Sequence, residues 1–539
     1  MAGQHAKLPA MTISDPAILA QLMGLMCEAI ALRGAGQPEA ALAALDQALA
    51  LDEQFLPVQM QRAGLFEQEG RWGDAVAAYE ACLDIAPDFD DARSAHRLAL
   101  ASLAEHCRLQ LDDAALGVRQ QAAIAHTLAQ TLLKLDQAEQ ALAAIDLALV
   151  QAPAQLAHQA PRADILLRLN RHEEAQACYG AVDPADADAA ALQAFNLGDI
   201  LWRMGQVEAA QASFERALQL QADFAQARVG RAHLLLMQGD FRQGWAEHEY
   251  RFQIAELARR SIQADSPRWR PGNDLVDKHV LLWAEQGQGD TLQFARYIAV
   301  VLQRAAQVTL CAPVALLPLL AQSFPAIHCV ATAAQAGPHD LHASLMSLPW
   351  LLDLPDPAQG PQPPYLRIDE QRVQAWRERL DAMLPVRRPR IGIAWAGRQY
   401  ATIHHSRDLP LAELAPLLEL PADFVSLQKE IPAADLASHA DQGHRLHAVA
   451  LEDWTDTAAL VGALDLVISV DTAVVHLAGA LGVPAFLPLR LAGEWRWGRQ
   501  DSRSDWYPSL QLFRQPVRGQ WAPVVHALVA ACRARFTHM

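Results

Sequence analysis

The chain is short of positive charge. Its 539 residues carry 44 Lys and Arg against 61 Asp and Glu, a net charge of -17. The deficit is lopsided: residues 1–260 hold 20 basic side chains against 34 acidic ones, and the remainder 24 against 27. Nucleic acid is bound through a positive face, so no nucleic-acid partner is expected. Cysteine is scarce and unpaired. The seven (Cys27, Cys82, Cys107, Cys178, Cys311, Cys329 and Cys532) are odd in number, without a C-x-x-C pair or a regular spacing. That points to a reduced, cytoplasmic chain. The opening MAGQHAKLPAMTISDP lacks the charged start and apolar core of a signal peptide, and no uninterrupted apolar run approaches bilayer length. Neither export nor a membrane span is expected. The length sets a prior of two to four domains at about 100 to 200 residues each.

What the N-terminal half does have is self-similarity. GQPEAALAALDQAL begins at Gly36 and GRWGDAVAAYEACL at Gly70, 34 residues apart. The phase returns at Asp136, Asn170, Gly205 and Gly239, with spacings of 34, 35 and 34. Each unit reads as helix, tight turn, helix, with small Ala residues where helices must touch. Tyr79, Tyr179 and Phe214 fill one equivalent position of the second helix. This period and pattern resemble tetratricopeptide repeats. An all-α solenoid is therefore expected over 15–255, with 91–135 helical but off-motif. Its groove would bind a protein or peptide partner, or the array would serve to form a homo-oligomer or brace the next domain. The D-x-D of PADADAA, Asp186 to Asp188, reads as a helix cap rather than a metal site.

A linker, rich in Pro, Gly and Trp, is expected over 256–277, and from there the pattern becomes α/β. Apolar runs at Val280–Ala284, Val308–Cys311, Ile327–Ala331, Ile391–Ala396, Phe424–Leu427, Leu466–Val470 and Ala485–Leu489 alternate with helical stretches, as in parallel sheets. A polar helix within 366–389 divides two lobes, 278–386 and 387–539. The first lobe opens with a strand and the loop QGQGD. Gly287 and Gly289 there allow close backbone approach, and Asp290 stands at a helix start, as cap or as functional acid. In the second, Asp471-Thr472 stand where the cap of the helix Ala473 to Leu481 belongs, with Gly482 to stop it. Such a helix start favours phosphate. Arg407 and Lys429 would supply cations, although each could be a solvated surface charge. His404 and His405 lack the further ligands that zinc requires.

Together EQGQGDTLQFARY, IAWAG, SRDLPL, VSLQKE, DLVISVDTAVVHLAGALGVP and WYPSLQLFRQ resemble bacterial proteins that fuse tetratricopeptide repeats to a glycosyltransferase domain akin to the family-9 heptosyltransferases. The resemblance implies a fold of α + α/β class, a solenoid followed by a GT-B pair of Rossmann-like lobes, acceptor contacts in the first and donor contacts in the second. It implies Asp290 as general base and Ser469 to His476, including Asp471, Thr472, Ala473 and Val474, as the donor-diphosphate loop. Arg407 falls where the family has a phosphate-binding Lys, and Ala473 where it has Gly. Pairing repeats with GT-B is also similar to the protein O-GlcNAc transferases. The expected activity is inverting, metal-independent and cofactor-free transfer from a nucleoside-diphosphate sugar, with a protein acceptor. A glycan or lipid-linked acceptor and a catalytically silent scaffold are the alternatives. His476 either faces the cleft or packs.

Overall fold

The structure is a computed structural model that describes residues 16–536 apart from 53–54, 87–88, 114, 152–155, 170, 181–185, 260, 398–406, 430, 432–434, 436–445, 493 and 500–501. The chain divides into two compact units, Met1–Asp183 and Pro184–Met539.

The first unit is helical throughout its described residues. Helices Pro16–Gly34 and Pro38–Leu51, Leu56–Gln68 and Trp72–Ile85, and Leu156–Arg168 and His172–Gly180 form hairpins, as do Val118–Lys134 and Ala138–Gln151. Tight turns need a left-handed residue, and the repeat phase supplies it at three described turns: Gly36, Gly70 and Asp136 have φ of 74°, 68° and 62°. The plugs Tyr79 and Tyr179 are buried, each removal from water stabilising by roughly 1.5–3 kcal/mol. The off-motif stretch contains Asp90–Leu111, a 22-residue helix against 14, 13 and 14 residues for Pro38–Leu51, Leu56–Gln68 and Trp72–Ile85 before it.

The first helix bears on the question of a membrane span. Ala17–Gly34 is long and apolar enough to cross a membrane, because its scattered polar residues hardly lower its mean hydropathy. Leu22, Met26 and Ala29 are nevertheless buried on one face, and the helix packs along Pro38–Leu51. That is how a repeat helix packs on its hairpin partner.

The second unit begins with two further hairpins, Ala187–Arg203 with Val207–Leu220 and Ala225–Gln238 with Phe241–His248. Asp186 caps the first of these helices, its carboxylate accepting the Ala189 N–H at 2.8 Å, as the D-x-D reading expected. Gly205 and Gly239 repeat the left-handed turn. Phe214 fits so closely that a Cβ at Gly198 or Gly230 would meet its ring at 2.7 or 2.8 Å.

Two parallel sheets follow. The first has the order β3-β2-β1-β4, from β1 (His279–Trp283), β2 (Gln307–Cys311), β3 (His328–Val330) and β4 (Leu341–Ser344). The second has the order β10-β9-β8-β5-β6-β7, from β5 (Arg390–Ala394), β6 (Asp423–Ser426), β7 (Leu446–His447), β8 (Leu466–Ser469), β9 (Ala485–Leu489) and β10 (Leu510–Arg514). The order of the second is the doubly wound Rossmann order, and the first is its four-stranded core. The fold is thus α + α/β, with paired Rossmann-like lobes of GT-B type. β4, β7 and β10 were not among the expected strands. The helix after β1 is interrupted, running Gln288–Phe294, a 3-10 turn Ala295–Tyr297, then Ile298–Leu302.

The expected linker runs between the last repeat helix and β1, but it does not separate independent bodies. Its Trp269 N–H donates to the His342 carbonyl in β4 at 2.8 Å. Arg251, past the last repeat, is buried, and its Nε and Nη2 grip both oxygens of Glu285, beyond β1, at 2.7 and 2.8 Å. Trp245 of the last hairpin packs edge-on against Phe294 of the first lobe and Trp495 and Trp506 of the second. Leu236, Trp245, Phe294, Leu477 and Trp506 share one apolar core.

Candidate functional site

In an open parallel sheet, ligands bind beyond the strand carboxyl ends where the strand order reverses. Here the reversals lie between β1 and β4 in the first lobe and between β5 and β8 in the second. The loop after β1 carries Gly287, Gly289 and Asp290, the chain after β5 leads to Arg407, and the turn after β8 carries Asp471 and Thr472. Topology therefore gathers the sequence-derived residues at two switch points.

The two points touch. Helix Gln288–Phe294 packs on helix Ala473–Ala480, and a Cβ at Gly289 would stand 3.0 Å from His476 Cδ2 and 3.5 Å from Ala473 Cα. Gly289 is thus required by the approach of the other lobe. Gly287 is the N-cap of its helix, and its carbonyl accepts the Thr291 N–H at 3.1 Å.

Asp290, in the first turn, forms an ion pair with Arg496 from the second lobe, with the two side chains 19% and 9% exposed. Arg496 also donates from Nε to Gln293 Oε1 at 2.7 Å, and its Nη1 is 3.6 Å from Glu494 Oε2. Arg490 donates to Glu494 Oε1 at 3.3 Å. Burial pushes the Asp290 carboxyl above its ordinary value, against the pull of Arg496. Burial works against ionisation of Glu494 too, yet Arg490 and Arg496 hold it below the ordinary range.

On the donor side, the capping expectation for Asp471 is corrected. Thr472 is the N-cap of Ala473–Ala480, and its Oγ accepts the Val474 N–H at 3.3 Å. The Val475 N–H is taken by the Thr472 carbonyl at 3.1 Å. Of the N–H groups expected to face a diphosphate, that of Val474 is therefore already engaged. A hydroxyl one residue nearer the helix suits the geometry of a cap better than the Asp471 carboxylate, which turns instead into a recess. That recess is lined by Arg407, Asp471, Pro488, Leu489, Arg490 and Glu494 and has room for about one water, far below the roughly 300–1,000 Å³ of small-molecule sites. Burial and nearby Glu494 push the Asp471 carboxyl up, while Arg496, the Trp497 indole and Arg407 oppose them. The Trp497 N–H itself falls short of hydrogen-bond geometry.

His476 takes the packed option. It is 4% exposed, stacks on Trp497 with ring centroids 5.4 Å apart, and its Nδ1 lies 3.0 Å from the Tyr507 hydroxyl. Its Nε2 is 3.7 Å from Asp471 Oδ1, but burial, with Arg496 and Arg407 nearby, holds the imidazole far below its ordinary value. A neutral ring makes this contact a polar one rather than an ion pair.

Arg407 lines the recess and lies over Gly397, where a Cβ would meet its Nη2 at 2.5 Å. Its Nε is buried without a hydrogen-bond partner among the described residues. Lys429 is exposed just past β6 and does not line the recess. His404 and His405 lie outside the described residues. Among the described residues, no group of three His, Cys, Asp or Glu side chains comes together as metal ligands. Sequence reasoning missed Arg490, Glu494, Arg496 and Tyr507. The available signal was GEWRWG, a charged and aromatic cluster directly past the carboxyl end of β9.

Residues 28–90 and 195–242 match the family model of the tetratricopeptide repeat. The helical part is a tetratricopeptide array. Beyond that match, the array and its lobes are together similar to Protein FlbA of Caulobacter vibrioides, 28% identical over 510 residues that cover 87% of this chain and 82% of the relative. A glycosyltransferase family 9 structure from Veillonella parvula covers 49% of this chain with 98% of its own, at 11% identity and a TM-score of 0.38. The ADP-heptose heptosyltransferase II structure from E. coli covers 48% with 99% of its own, at 13% identity and a TM-score of 0.36.

Proposed function

We propose that this protein is an inverting, metal-independent glycosyltransferase that moves a sugar from a nucleoside diphosphate to a protein held by the tetratricopeptide array, in the cytoplasm. The observation that carries this reading is the opposition of Asp290, on the first lobe, to the recess of Arg407 and Arg490 and the helix start at Thr472, on the second. Asp290 takes the proton of the acceptor hydroxyl. The oxygen attacks the anomeric carbon, and the bond to the diphosphate breaks with its electron pair leaving on phosphate. The raised affinity of Asp290 for a proton suits a general base. Arg407 and Arg490, with Ala473 and the helix dipole behind it, offset the charge on the leaving group, each such donor contributing about 2–4 kcal/mol. Lys429, on a long stem outside the recess, would reach only a portion of the donor that projects from it. With Glu285 held at both oxygens by Arg251 and Glu494 committed to two arginines, neither serves as a second, nucleophilic carboxylate, which favours a single displacement and hence inversion.

A protein acceptor is favoured because the last repeat is continuous with the rim of the site: His233, in helix Ala225–Gln238, stacks on Trp495 with centroids 6.3 Å apart, next to Arg496. The test begins with a melting-temperature panel of nucleoside diphosphates. A ligand at about 100 times its dissociation constant adds about 2.7 kcal/mol. The matching nucleotide sugar is then supplied with array-bound peptides, and the anomeric configuration of the product is read by NMR. No stabilisation by any nucleotide, or a product of retained configuration, would overturn the reading.

A further inference from the structure

The candidate base is not free. Asp290 is paired with Arg496, and the same guanidinium extends toward Glu494, which lines the recess. Of the three arginines around the recess, Arg490 and Arg496 are already committed to carboxylates. An incoming diphosphate therefore gains the charge of either one only by taking it from a carboxylate. Arg496 is the one that links the two sides, since its carboxylate partners are the base on one lobe and Glu494 on the other.

The backbone that carries Arg496 is fixed. Trp495 and Trp497 are 3% and 1% exposed. Trp495 is wedged between His233 and Trp245, and Trp497 against His476. The Arg496 guanidinium lies with its carbon 4.2 Å from the centre of the Trp495 ring, a flat surface along which a side chain can turn while the segment stays in place. Among the described residues Gln293 Nε2 is buried without a hydrogen-bond partner, although its Oε1 accepts from Arg496.

We propose that Arg496 is a two-position residue: without donor it clamps Asp290, and on donor binding it turns onto the diphosphate and releases Asp290 to the acceptor. This rests on the glycosyltransferase reading above. Its consequence is a compulsory order. The acceptor hydroxyl loses its proton only when a donor is in place, because only then does the carboxylate lose its guanidinium partner. A lone acceptor is therefore not activated. Arg496 contacts substrate in one position and the base in the other, and the last repeat, through Trp245 and His233, holds the pivot.

The test is carboxylate footprinting of the full chain with a water-soluble carbodiimide and an amine, read peptide by peptide by mass spectrometry, with ADP, GDP, UDP or CDP. Diphosphates without sugar are used so that nothing covers the acceptor side. The expected result is a several-fold faster modification of Asp290 with whichever nucleotide raises the melting temperature, and equally fast modification in Arg496→Met without nucleotide. The wild-type arm stands even where that variant fails to fold. A nucleotide that stabilises the protein while leaving Asp290 as slow as before, or slower, overturns the clamp and leaves the donor site standing. A panel in which none stabilises overturns both.

Discussion

Asp290→Asn separates the chemistry of this carboxylate from its structural worth. The carboxamide keeps shape and loses basicity, so a general base should be lost at a cost of about 10²–10⁴ in turnover. The stability effect is less obvious. Removing one partner of a buried ion pair commonly costs about 3–5 kcal/mol, because a charge is left alone. Here Arg496 would keep Gln293 at 2.7 Å and Glu494 at 3.6 Å, and the Asp290 side chain is 19% exposed, so solvent shares the load. The direction of the shift decides it. The folded state raises the proton affinity of Asp290, so burial costs the carboxylate more than Arg496 returns. A carboxyl raised in this way adds stability below its unfolded value and loses it as pH rises through the folded one. That contribution disappears as the carboxyl ionises, and the neutral amide keeps it. Asp290→Asn should therefore melt within about 1 kcal/mol of the parent at pH 7, a shift of no more than about 2–4 °C, and bind nucleoside diphosphate as well or more tightly. Calorimetry and sugar-transfer rates on one preparation decide it. Turnover within a few-fold of the parent would make Asp290 only a first-turn acid, and a loss above about 3 kcal/mol would make the pair a structural clamp.

Thr472→Ala should cost about 1 kcal/mol through its lost cap, whereas Asp471→Ala should leave the melting temperature nearly unchanged and weaken nucleotide binding in isothermal titration; the reverse pattern would return the cap to Asp471. Gly479→Ala places a Cβ 2.4 Å from the Tyr507 ring and should cost about 1–3 kcal/mol, with loss of the Tyr507 to His476 contact visible as a shifted imidazole resonance. In the first unit, His96 and Lys134 hold the Glu80 carboxyl down to about 2 despite burial. Glu80→Gln should therefore be the less stable protein at neutral pH, with the difference vanishing as pH falls from the ordinary carboxylate range toward 2, which paired acid-unfolding curves would read. A fragment ending at Asp183 should stay monomeric and helical by circular dichroism and light scattering, while one ending at Asp265 should aggregate, since it exposes Leu236 and Trp245 stripped of the lobes.

The sequence by itself determined whatever rests on local order. A period of about 34 places a left-handed Gly or Asp at the turns of residues 36, 70, 136, 205 and 239, because φ near 60–90° is a demand of the turn itself. The alternation of apolar runs and helices implies parallel sheets, and a strand followed by Asp471-Thr472 and a Gly-terminated helix marks the second switch point without any tertiary knowledge. Gly289-Asp290 marks the first in the same way. What only the tertiary structure decided involves residues far apart in the chain. Thr472 rather than Asp471 caps the helix, because Asp471 is drawn into a recess built by β9 and the chain after it. Asp290 meets Arg496 across 206 positions, and nothing near either residue announces the other. The division of the chain is likewise non-local. Helical periodicity ends near residue 255, but Trp245 and Arg251 fill holes in the lobes, so the last two hairpins belong to the α/β core. Periodicity reports which face of an element is apolar, and only packing tells which partner covers it.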